Sequence, residues 1–184
     1  SGCAYGRHAD FVPASVVSRE WGSCAFVSFS GTGTQITDHV AAIAKHEAFI
    51  WGKEVIAKSD WLDLAFVRSE KPAPVFGEKP LAGQRVTAYG HICGDTWVAD
   101  GVIIVETTWS EAGGPAWPVI VYWANAGSGY SGGPVLDASG HVVAVTVRQI
   151  VSVAWGGLRP GDFLAYPIKT VLDEAIRLGV ISND

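Results

Sequence analysis

The feature that most constrains the fold is a succession of short segments rich in Val, Ile, Phe, Trp or Thr. Each is bounded by Gly, Pro, Asp or Ser: Ser23–Phe29, Thr34–Thr37, Ala48–Ala57, Leu64–Val67, Arg85–Tyr89, Val102–Thr108, Val119–Trp123, Gly133–Leu136 and Val142–Val147. Strand-length runs punctuated by turn formers give barrels or sandwiches, and the helical stretches that alternate with strands in a βα fold are missing. One helix is expected, at the end, where Ile168, Val171, Leu172, Ala175, Ile176 and Leu178 recur at helical spacing after Pro167. The proline- and charge-rich stretch Ser69–Pro80 reads as an exposed extended connection that divides the strands into two groups.

Composition narrows the function classes. With 184 residues, 48% hydrophobic and 17% charged, the chain can bury one good core or two small ones. A formal net charge of −5 without a run of Lys or Arg gives no footprint for nucleic acid. Every apolar run is too short to span a membrane. Cys3, Cys24 and Cys93 form no C-x-x-C pair, so neither a disulfide framework nor a thiolate zinc site is expected, and the odd count points to a reducing compartment. His46-Glu47 opens like a metalloprotease helix, but Ile50 stands where the second ligand is needed, so no metal and no cofactor are expected. The lack of any Met in the chain suggests a piece excised from a longer polyprotein, with a secreted enzyme or a chosen boundary as alternatives.

The string Gly127–Pro134, GSGYSGGP, surrounds Ser131 with glycines. A backbone without Cβ atoms lets a substrate carbonyl approach a nucleophile, and the N–H groups of Gly129 and Ser131 are spaced to hold an oxyanion if the loop curls around Ser131. The same string formally fits a dinucleotide-binding loop or a nucleophile elbow, but both need a helix to start there, and Pro134-Val-Leu reads as a strand. In QITDHV a strand-like run ends on His39, and in DLAFV Asp63 opens an apolar strand, where a buried carboxylate must find a donor. A histidine Nδ1–H is such a donor.

In their chain order, ITDHV, DLAFV and GYSGGPV resemble the signature blocks of the chymotrypsin-like serine proteases. The resemblance implies an all-β fold of two antiparallel six-stranded barrels with a closing C-terminal helix. The expected divisions are a first barrel at residues 1–72 carrying His39 and Asp63, a linker at 73–80, a second barrel at 81–166 carrying Ser131, and helix and tail at 167–184. It implies an endopeptidase with Ser131 as nucleophile, His39 as general base, Asp63 as the group that orients it, and an oxyanion hole at Gly129 and Ser131. Small size, few cysteines and the lack of an activation N-terminus are most similar to viral polyprotein-processing members such as those of sobemoviruses and arteriviruses, acting in the host cytoplasm on polypeptides that include their own precursor. Bacterial trypsin-like peptidases are the alternative lineage, in which case the chain is secreted or periplasmic. A non-catalytic two-barrel binding module and a small-substrate esterase are the rival functions.

The family's primary pocket maps onto Tyr122–Gly127 and Val143–Gln149. Period-2 alternation then turns Thr146 and Arg148 toward the groove, with Asn125 on the other wall. These residues suggest a polar or acidic side chain before the cleaved bond and disfavour a basic one.

Overall fold

The computed structural model describes residues 6–21, 29–111, 113–127, 129–150 and 159–184. Its elements in chain order are β1 (Arg7–His8), β2 (Val16–Trp21), β3 (Phe29–Gln35), β4 (Val40–Ala44), α1 (Ala48–Trp51), β5 (Val55–Lys58), β6 (Leu64–Arg68), β7 (Arg85–Ile92), β8 (Asp95–Trp109), β9 (Trp117–Ala124), β10 (Pro134–Leu136), β11 (Val142–Gln149), β12 (Phe163–Pro167) and α2 (Ile168–Arg177). The fold is all-β and chymotrypsin-like, with one C-terminal helix. Cys3, Cys24 and most of Ser23–Phe29 lie outside the described residues.

The second half closes into a six-stranded barrel in the order β8-β7-β10-β11-β12-β9, with β9 returning to β8. Closure depends on β8, whose first part pairs with β7 and whose second part pairs with β9, with a register shift between Ile103 and Val105. Such an irregularity bends a long strand so that it can serve two neighbours. The first half is an antiparallel sheet in the order β2-β3-β4-β6-β5, with five strands among the described residues where six were expected.

Two expectations change. Ala48–Ala57 is not one strand: α1 buries Ala48, Ile50 and Trp51 and leaves Phe49 exposed, and only Val55–Lys58 is extended. The first-barrel boundary at residue 1 fails, because Arg7 and His8 pair with Val98 and Trp97 of the second barrel. The connection after β6 is extended and largely exposed, as expected, but it is tied to the barrel by a short bridge. Val75 accepts from Val142 N–H at 3.0 Å, Gly77 donates to the Val142 carbonyl at 2.9 Å, and Phe76 packs against the core.

One apolar cluster joins the halves. Val40, Leu62, Leu64 and Phe66 of the first sheet meet Val121, Leu136, Val145 and Leu164 of the barrel, and Ile168, Val171 and Ala175 of α2 cover them. The helix also carries a polar clasp. Ser59 Oγ donates to the buried Glu174 at 2.9 Å while accepting from Leu62 N–H at 2.9 Å, and Arg177 closes on Glu174 through Nε and Nη2. Removing one partner of a buried charge-assisted bond leaves the other unsatisfied, which costs about 1–3 kcal/mol. Glu174→Ala is therefore expected to lower the urea-unfolding free energy by about that amount with an unchanged m-value, and a loss under half a kcal/mol would contradict the clasp.

Candidate active site

Antiparallel pairing of β4 with β6 decides which histidine meets Asp63. The register sets Ala44 opposite Leu64 and Val40 opposite Arg68. The exit of β4 therefore lies beside the start of β6, and the two residues after Ala44 reach the residue before Leu64. Lys45 N–H donates to the Asp63 carbonyl at 3.2 Å. His46 N–H donates to Asp63 Oδ1 at 2.9 Å, and the His46 Nδ1–H donates to Oδ2 at 2.6 Å.

His39 sits at the opposite end of β4, in the turn after β3, about 16 Å away at strand rise. There its backbone carbonyl accepts from Ser69 N–H, and its exposed ring pairs with Glu70 at 2.5 Å. The pairing expected between His39 and Asp63 is thus not formed, and the histidine that Asp63 holds is His46. The detectable signal was the apolar run Val40–Ala44, which reads as a strand able to pair with Leu64–Val67 and so brings its own exit to Asp63.

Asp63 is buried. Burial alone would raise its carboxyl, but the hydrogen bond and charge of His46, the Arg148 guanidinium and the His46 N–H outweigh it and hold it below the usual value. His46 is raised, first by its hydrogen bond to Asp63, with burial and the Arg148 charge opposing. Next to it, Glu47 Oε1 lies 4.0 Å from His46 Nε2, and burial pushes the Glu47 carboxyl up to about 7.

The Ser131 loop lies against this corner. Gly132 adopts φ +85°, and a Cβ there would fall 2.1 Å from the Thr32 carbonyl oxygen and 3.2 Å from the Ala44 nitrogen, so the loop touches β3 and the end of β4 just before His46. Thr34 Oγ1 donates to the Gly132 carbonyl and Thr32 Oγ1 to the Gly129 carbonyl, both at 2.8 Å. Gly132 N–H donates to the Thr146 carbonyl at 2.7 Å, tying the loop to β11 as well. Gly129, at φ +101°, packs on Ile92, and Tyr130 is buried inside the barrel near Phe163. Ser131 is half-buried.

The pocket residues are placed differently from the expectation. Thr146 is buried, and its hydroxyl pairs with that of Tyr122 at 2.7 Å. Val145 and Val147 join the cluster between the sheets, so Thr146 faces the barrel interior. Arg148 turns to Asp63 and Glu111. Asn125 remains exposed beyond β9. Of the residues expected to favour a polar or acidic side chain, Thr146 and Arg148 are thus engaged inside the protein and Asn125 alone stays exposed. A residue not singled out from sequence, Gln149, reaches the Ala126 carbonyl at 3.5 Å and that of Gly161 at 3.3 Å, bracing two segments. Among the described residues, no group of acidic, His or Cys side chains is arranged to hold a metal ion.

A family model for the trypsin-like peptidase domain matches residues 14–145. Among solved structures, the Rv3671c protease of Mycobacterium tuberculosis in its active form is 19% identical, covers 92% of this chain and 82% of its own, and superposes with a TM-score of 0.72. The HtrA-type protease AlgW S227A variant with a tripeptide is 18% identical with a TM-score of 0.71, covering 89% of this chain and 60% of its own. The MamO protease domain of Magnetospirillum magneticum is 16% identical, with a TM-score of 0.61, covering 88% and 96%. No curated protein matches. The chain belongs to the trypsin-like peptidase domain family and is a serine peptidase of the chymotrypsin-like fold.

Proposed function

We propose that the chain hydrolyses peptide bonds within polypeptides through an acyl-enzyme, using Ser131, His46 and Asp63. The observation that carries these roles is the His46 Nδ1 to Asp63 Oδ2 hydrogen bond of 2.6 Å, at the corner on which the Ser131 loop packs. Asp63 fixes the tautomer with the proton on Nδ1, which leaves Nε2 free to accept the Ser131 hydroxyl proton as Oγ attacks a carbonyl. Nε2–H then protonates the leaving amine, and water deacylates the enzyme by the same path in reverse. Charge that develops on the carbonyl oxygen is met by the N–H groups of Gly129 and Ser131.

A polypeptide substrate is supported by the AlgW structures, which hold a decapeptide or a tripeptide. Action on a viral precursor in the host cytoplasm is the finer reading, supported by the three cysteines, an odd number with no C-x-x-C pair. A cleavage-site library tests it, because a processing enzyme should select a narrow sequence over several positions and a housekeeping peptidase a broad one.

A fluorophosphonate probe should label Ser131, and the label should vanish in Ser131→Ala. Peptide turnover should fall by several powers of ten in Ser131→Ala and in His46→Ala, and stay near wild type in His39→Ala. The reverse ranking of the two histidines would reject His46 as the base. Because Asp63 raises His46, the acid limb of kcat/KM should have its midpoint above the ordinary histidine value of 6.5, with activity lost as pH falls through it.

Stability should follow pH through the same corner. Glu47 stays neutral in the folded protein up to about 7 but ionises near 4.5 when unfolded, so folding weakens as pH rises across that window. His46 adds in the same direction, since a raised imidazole stabilises at low pH and loses that contribution as pH rises through its folded value. Glu47→Gln should therefore flatten the fall in Tm between about pH 5 and 8, and an unchanged slope would contradict the burial of Glu47.

A further inference from the structure

Asp63 receives more than a histidine. Its Oδ2 is shared, accepting His46 Nδ1–H at 2.6 Å and Arg148 Nη2–H at 2.7 Å. Arg148 stands on β11 of the barrel, and Glu111, on the segment between β8 and β9, holds the same Nη2 from the other side at 3.1 and 3.2 Å. Arg148 Nε is buried and makes no hydrogen bond. Arg–carboxylate pairs are frequently bidentate, with two nitrogens on one carboxylate. Here a single nitrogen bridges two carboxylates, one of which holds the histidine.

We propose that Arg148 is a positioning residue of the triad, which draws Asp63 Oδ2 away from His46 and, with Glu111 as its counter-charge, sets how basic the imidazole is. The proposal rests on His46 being the general base. A cation on the shared oxygen weakens the hold of that oxygen on an imidazolium, and its own charge opposes protonation of the ring. Glu111 offsets that charge from behind. The other charged or titratable groups around the ring are Asp63 itself and Glu47 at 4.0 Å from Nε2. Tyr166 lies behind Asp63, its hydroxyl accepting the Asp63 N–H, and Lys45 is engaged with the Ser59 carbonyl. The segment that carries Glu111 rests on Trp61, where a Cβ added at Gly114 would come within 3.1 Å of the indole. The histidine is thereby linked to the position of the β8–β9 connection.

The test is a titration of the His46 ring by ¹⁵N NMR in Ser131→Ala protein, with the resonance assigned by its loss in His46→Gln. Arg148→Met should raise the His46 midpoint by about one pH unit, Arg148→Lys should restore most of the difference, and Glu111→Gln should lower the midpoint. In enzyme with Ser131 intact, the acid limb of kcat/KM should move in parallel. A purely structural Arg148 would shift stability but leave the ring midpoint in place. An unmoved midpoint in folded Arg148→Met, or shifts of the same sign for the Arg148→Met and Glu111→Gln variants, would overturn the proposal. Failure of Ser131 labelling in the wild type would instead remove the peptidase roles, since the ring titration needs no turnover.

Discussion

A carboxylate in a closed interior demands donors, and the arrangement around Asp63 follows from that demand. Left unpaired, such an anion would destabilise the fold by several kcal/mol or take up a proton. Its donors come from both halves of the molecule: the backbone and ring of His46 on the first sheet, and Arg148 on the barrel. The backbone N–H of Asp63 meets Tyr166 of β12, again across the divide. The group that orients the histidine is thus also a rivet between the sheets, so the geometry of the site and the docking of the halves cannot vary independently.

The same economy appears in the serine loop. A nucleophile with a half-exposed side chain needs a backbone that does not move, and the glycine-rich string by itself is the least constrained stretch a chain can have. Thr32 and Thr34 of β3 grip its carbonyls, and Thr146 of β11 takes its N–H. His91 N–H donates to the same Thr32 hydroxyl at 2.8 Å, and its ring is paired with Glu20 of β2. The freedom that lets the loop approach another backbone is cancelled by bonds from two sheets, which is how a permissive sequence becomes a rigid site.

Local pattern was sufficient for much of this. Strand-length apolar runs bounded by turn formers marked β6, β7, β9, β10 and β11 within a few residues but only the second part of β8, whose residues 95–101 were missed, and the spacing of Ile168 to Leu178 marked α2. The glycines around Ser131 and the aspartate opening β6 were legible because each breaks a local rule, and such breaks gather where chemistry is done. What failed was register. A histidine at either end of Val40–Ala44 looks equally plausible in one dimension, and only the antiparallel pairing with β6 distinguishes the end beside Asp63 from the end beside Glu70. Simple alternation along β11 would turn Arg148 toward the groove. The register shift between Thr146 and Arg148 against β12 breaks that alternation, and no local signal announces it. Ala48–Trp51 misled because its apolar content suits a strand or a buried helical turn equally.

The ends of the chain are crossed over. Arg7 and His8 pair with the second barrel, whereas α2, which follows that barrel, clasps Ser59 of the first sheet. Each half therefore holds a piece of chain that belongs in sequence to the other. A single cut in the connection between β6 and β7 would leave the strand of one fragment paired with the barrel and the helix of the other clasped to Ser59. The two halves are therefore held together by segments from both ends of the described chain as well as by the apolar cluster between them.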